Sequence, residues 1–193
     1  MKTTATFILF FIAASMPVAS AFPENTFDEY AVKAAFLELV SKYIEWPPDQ
    51  DINAKSKPFI ITVIGENPFV KPRKGKNSTG DWLTSLYETQ KIQDKRVEIH
   101  YISEVEEIAD CHILFVSRSM RKRLPEIVEA VRGKPILTIA DTEGFAKKGI
   151  YINLYIENNR TRYEINPISL KSATLDVNYQ LIEWGKKVTP VKE

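Results

Sequence analysis

Apolar positions along the chain recur with two different periods. Val32, Phe36, Leu39 (or Val40), Tyr43 and Trp46 repeat at spacings of four and three, while Lys33, Ser41, Lys42 and Glu45 fill the other side. That spacing predicts an amphipathic helix with those polar side chains facing outward. A T-x-x-E box, Thr26 with Glu29, predicts its start, since the hydroxyl and the carboxylate can satisfy two free amides reciprocally. Pro47-Pro48 predicts its end, because neither residue can donate the next backbone bond. Residues 59–64 (FIITVI), closed by Gly65, form a continuous β-branched run, the signature of a strand buried on both faces. Residues 81–91 carry a helical pattern through Trp82, Leu86 and Tyr87, and residues 97–102 and 112–116 read as two more strands. Leu124, Ile127, Val128 and Val131 mark a helix with Pro125 in its first turn and Gly133 at its end, and residues 135–139 a fourth short strand.

The last third changes rhythm. Residues 150–156 alternate apolar and polar, Glu157-Asn158-Asn159 reads as a turn, and residues 160–165 run back, which predicts a β-hairpin. Asn166 is placed to cap a short helix with Pro167 at its first position. A final helix is predicted from the stripe Val177, Leu181, Trp184 and Val188. Strands alternating with helices imply an α/β fold. The expected architecture is a three-layer sandwich with a mostly parallel central sheet, ending in a β-hairpin and C-terminal helices.

Composition alters this picture mainly at the N-terminus. The chain has 193 residues, 44% of them apolar. Lys2, the apolar stretch 7–14 and the small-x-small triplet Ala19-Ser20-Ala21 read as a signal peptide over residues 1–21, cleaved near Ala21. Residues 22–193 are then expected to form a single exported domain. Cleavage removes one Lys and no acid, so 26 Lys+Arg against 25 Asp+Glu becomes 25 against 25. A neutral domain lacks the broad field that nucleic-acid binders use.

Enzyme signatures are missing. Residues 144–149 have the glycine spacing of a phosphate loop but continue Ile150-Tyr151, without the Lys and hydroxyl. Gly65 follows a strand outside any G-x-G-x-x-G, and no G-x-S-x-G occurs. The two histidines, His100 and His112, fall inside predicted strands and read as structural. Cys111 and His112 are adjacent, so on a strand they face opposite sides and make a poor metal pair. Cys111 reads as a buried apolar residue. No catalytic residue, metal ligand or cofactor site is assigned. Ligands of open α/β sheets gather at the carboxyl ends of strands, which makes Glu66, Asn67, Ser117, Arg118, Asp141 and Glu143 the candidate contacts for a ligand or partner. The basic run Arg118, Arg121, Lys122 and Arg123 near that rim reads first as a solvated helix face, and its functional reading is an anionic ligand or an acidic partner face.

Four stretches carry a resemblance: residues 30–47 (YAVKAAFLELVSKYIEWP), 59–69 (FIITVIGENPF), 111–119 (CHILFVSRS) and 133–188, including LTIADTEGFAKKGIYINLYIENNRTRYEIN. In this order, behind an export signal, they resemble the YfiR-like family of periplasmic regulators. The resemblance implies a non-catalytic protein of the periplasm that represses an inner-membrane diguanylate cyclase. It would thereby lower cyclic di-GMP and affect biofilm. It also implies a homodimer and, in some systems, an outer-membrane lipoprotein that sequesters the repressor; nucleic acid is not an expected partner. Some relatives carry several cysteines that can bridge, whereas Cys111 is alone here, which excludes a disulfide switch within one subunit. The rival expectation is a periplasmic small-ligand receptor that uses the strand-end rim.

Overall fold

The computed structural model describes residues 28–48, 54–71 and 80–191. Thr26 and the predicted signal peptide lie outside them. Helix α1 is Glu29–Ser41, followed by the two-residue strand β1, Ile44–Glu45, and by β2, Phe59–Ile64. Then come α2 (Trp82–Tyr87), β3 (Lys91–Ile92), β4 (Lys95–Ile102), β5 (Ile113–Val116), α3 (Leu124–Ala130) and β6 (Leu137–Ala140). The hairpin strands β7 (Ile152–Glu157) and β8 (Arg160–Ile165) precede α4 (Pro167–Leu170), β9 (Asp176–Val177), α5 (Tyr179–Trp184) and β10 (Lys186–Lys187).

The main sheet has eight strands in the order β10-β8-β7-β6-β5-β2-β4-β3. Its centre, β7-β6-β5-β2-β4, is parallel; β8 runs antiparallel to β7 and β3 antiparallel to β4, while β10 is parallel to β8. β1 and β9 form a separate antiparallel pair. Alternate residues of the central strands supply two cores. Ile61, Val63, Ile113, Phe115, Leu137 and Ile139 pack with Ala34, Leu37 and Val40 of α1 and Leu83 of α2. Ile64, Leu114, Val116 and Ala140 pack on the other face with Leu124 and Ile127 of α3. This is the mostly parallel three-layer α/β architecture expected from the continuous apolar runs.

The elements differ from their sequence expectations mainly at helix ends and on the face of α1. Asp28, not Thr26, caps α1: its Oδ1 accepts the Tyr30 amide at 3.1 Å. The buried positions of α1 are Lys33, Ala34, Leu37, Val40 and Ser41, whereas Leu39 is 46% exposed. Lys33 and Ser41 were expected outside, and both are inside. The helix also stops at Ser41 rather than at the prolines, because Ile44 must pair with Val177 of β9. The same pairing takes Val177 out of the last helix, which shortens to α5 and leaves Trp184 60% exposed. The predicted helix over 81–91 is α2 alone, capped by Asp81 through the Thr84 amide. Asn166 caps α4 as expected, its Oδ1 accepting the Ser169 amide at 3.0 Å. Among the described residues no helix is long and apolar enough to cross a membrane.

Candidate functional site

The carboxyl ends of β2, β5 and β6 lie side by side, with the first turns of α1 above them. Pairing of Val116 with Ala140 puts Ser117 and Asp141 on adjacent strand ends. Asp141 turns toward α1, where its Oδ2 accepts a hydrogen bond from Lys33 Nζ at 2.7 Å. Glu29, one turn earlier on α1, pairs with the same ammonium. Lys33 is only 2% exposed, so its charge is tolerable because two carboxylates and the Tyr30 ring, 4.6 Å away, surround it. Burial, and then the negative charge of Asp141, hold the Tyr30 phenol well above its ordinary value, so it stays neutral.

Lys33, Tyr30 and Glu29 were not among the sequence candidates. A rule that scans strand ends misses a helix, and the stripe Val32, Phe36 and Leu39 had assigned Lys33 to solvent. The sequence does hold a competing stripe, Tyr30, Ala34, Leu37, Val40 (or Ser41) and Ile44, that would have turned Lys33 inward.

The six sequence candidates separate into different environments. Asp141 and Glu143 line the same groove as Lys33. Ser117 sits behind the rim, 1% exposed, and its Oγ has no hydrogen-bond partner among the described residues. Arg118 beside it is exposed and its charge reaches Tyr30, lowering the phenol's pKa against the larger effect of burial. Asn67 is engaged in shaping its own loop, and Glu66 joins that loop through its backbone amide with its side chain exposed. Gly65 has a left-handed φ of 93°, and a Cβ there would come within 2.4 Å of Ser119 Oγ, which accepts the Glu66 amide at 2.9 Å. Asn67 donates to Asp81 Oδ2 at 2.6 Å and accepts the Phe69 amide at 2.9 Å. Of the basic run, Arg123 is engaged by Glu104, Glu106 and Glu126.

The groove has a volume of about 400 Å³. One wall is α1, through Glu29 and Lys33; the floor is Asp141 and Glu143; the far wall is β7, from Asn153 to Ile156. Asn153 Oδ1 is buried without a donor among the described residues.

The remaining chemistry lies elsewhere. His112 is buried near the amino end of β5, stacked on Phe59 at 4.2 Å between ring centroids, and its Nδ1 accepts the Ile60 amide at 2.9 Å. Nε2 therefore carries the proton of the neutral ring. Burial, with the charge of Lys95, lowers its pKa to about 4. Cys111 faces the opposite core, where burial pushes its thiol up to about 12. Among the described residues no group of three His, Cys, Asp or Glu side chains could hold a metal ion.

The site is thus a polar, half-open groove built around one buried ammonium, suited to binding. A search of curated proteins returns no match to the sequence. The profile of the YfiR/HmsC-like family, in contrast, matches residues 30–186, from Tyr30 beside the groove to Lys186 at its far rim, and the chain belongs to that family.

Proposed function

We propose that the protein is exported to the periplasm and there represses a membrane-bound diguanylate cyclase by binding its periplasmic part. The YfiR/HmsC-like family is one of periplasmic regulators of diguanylate cyclases, and the match over residues 30–186 is the observation that carries the reading. The groove supports it: it offers buried, fixed charge beside an open strand, which suits recognition of another chain. Repression of this kind is a population shift, so the protein must bind the inactive state of the receptor more tightly than the active one. Asp141 and Glu143 on the groove floor and Arg118 beside it are the sequence candidates that this contact uses. A homodimer and an outer-membrane lipoprotein that competes for the repressor complete the proposal.

Deleting the gene tests it. Cellular cyclic di-GMP is expected to rise and to fall again on complementation. Unchanged levels across several envelope stresses would overturn the reading.

A further inference from the structure

We propose that the groove is a strand-addition site, in which an extended segment of the membrane receptor pairs with the free edge of β7 at Leu154 and Ile156. The inference rests on the regulatory reading above and names its point of contact.

The edge is free because β6 is shorter than its neighbour. β6 pairs with β7 at Ile139–Ile152 and Ala140–Asn153 and then leaves the sheet. β7 continues to Glu157, paired on its other side with β8 in unbroken register. Residues 154–157 therefore have no strand beside them on the β6 side among the described residues. Asn158 and Asn159 both have left-handed φ, 51° and 57°, as a two-residue hairpin turn requires. Such a turn closes on a hydrogen-bonded pair, here Glu157 and Arg160. Antiparallel alternation then directs the backbone groups of Tyr155 to β8 and those of Leu154 and Ile156 to the other side, where the Ala140–Asn153 pairing takes up the Leu154 amide and leaves the Leu154 carbonyl and both backbone groups of Ile156 open to the groove.

Other open edges of the sheet are protected. The outermost strands β3 and β10 have two residues each and carry Lys91 and Lys186–Lys187. The uncovered length of β4, residues 97–102, alternates Glu98 and His100 with Val97, Ile99 and Tyr101. Lysines, charges, prolines and bulges are the usual means of keeping an edge from pairing. Residues 154–156 (LYI) have none of them.

The groove also indicates the chemistry of its occupant. The Leu154 carbonyl and the amide and carbonyl of Ile156 call for an extended backbone. Ile156, 43% exposed, offers an apolar contact. Glu143 is exposed and makes no ion pair among the described residues, and it favours a Lys or Arg. Asn153 Oδ1 is a buried acceptor on the groove wall that a donor from the occupant can satisfy. The occupant is thus an extended segment with a β-branched or aromatic residue and a basic residue.

The test uses the mature protein and the purified periplasmic region of the diguanylate cyclase whose deletion suppresses the knockout. Ile156→Pro removes an amide that the fold leaves unpaired, so the variant is expected to unfold at nearly the wild-type denaturant concentration. It should bind the region about ten-fold or more weakly, because a partner carbonyl is left without its donor. Glu143→Lys, a surface change, should also weaken binding, and the wild-type complex should protect the Ile156 amide from hydrogen exchange. Equal binding by Ile156→Pro with protection elsewhere overturns strand addition and leaves the regulatory reading intact. A wild-type dimer that Ile156→Pro converts to monomer assigns the edge to a second copy and overturns the receptor contact. No binding by the wild-type protein, with cyclic di-GMP unchanged on deletion, overturns both.

Discussion

Lys33 Nζ and Asp141 Oδ2 lie 2.7 Å apart across 108 residues of sequence, and both side chains are almost fully shielded from water. The pair fastens the first turns of α1 to the end of β6 and sets the width of the groove. Removing one partner leaves the other charge buried, which costs more than the pair itself contributes. Lys33→Met is therefore expected to destabilise the protein by about 3 kcal/mol in urea titrations. Lys33→Met with Asp141→Leu should recover part of that loss, giving a favourable coupling in the double-mutant cycle. Glu29, half exposed, is worth less: Glu29→Gln should cost under about 1 kcal/mol.

The same pair marks where the sequence stops being legible. β2 and β5 could be read because burial on both faces forces a continuous apolar run, and the hairpin because two left-handed residues in succession select Asn158-Asn159. The cap at Asn166 is equally local. The face of α1 is not local, since Lys33 is buried only because Asp141 awaits it. Helix ends failed for a related reason: Ser41 and Tyr179 bound helices whose neighbours are drawn into the β1–β9 pair. At the site, Asp141 and Glu143 followed from their position after a strand. Asn67 meets the same rule but spends its side chain on the loop after Gly65, where the Glu66 side chain stays exposed. The free edge of β7 depends on where β6 ends, which no pattern within residues 152–157 reveals.

His112 makes stability depend on pH. Its folded pKa of about 4 lies below the ordinary value near 6.5, so the unfolded chain binds the extra proton first. Stability is full above about pH 6.5, falls as pH drops toward 4, and the total loss approaches about 3 kcal/mol. His112→Asn retains an acceptor for the Ile60 amide but has no proton to gain in this range. Urea midpoints at several pH values between 4 and 7 should show a shallower slope for the variant than for the wild type. Equal slopes would place the dependence on other groups.

Cys111 should be chemically silent in the folded protein. It is buried, and its thiol, pushed up to about 12, supplies almost no thiolate near neutral pH. Alkylation with iodoacetamide at pH 8 is expected to proceed only as fast as the chain unfolds, and to become rapid in urea. Modification within minutes under native conditions would contradict the burial.

The hairpin turn governs the free wall of the groove. Asn158 and Asn159 hold left-handed φ, and Asn tolerates that conformation less well than Gly. The second position of a two-residue turn of this kind favours Gly most strongly. Asn159→Gly is accordingly expected to stabilise the protein by about 0.5 kcal/mol, the relief of strain outweighing the added freedom of the unfolded chain. Asn159→Val should cost more than about 1 kcal/mol, because a β-branched side chain is strained there. The turn closes the pair Glu157–Arg160, so fraying caused by valine spreads first into residues 154–157. Amide exchange at Tyr155 and Glu157, whose bonds run to β8, should therefore accelerate in Asn159→Val before exchange in β5 or β6 changes. Uniform acceleration throughout the sheet would show instead that the hairpin opens only with the whole fold.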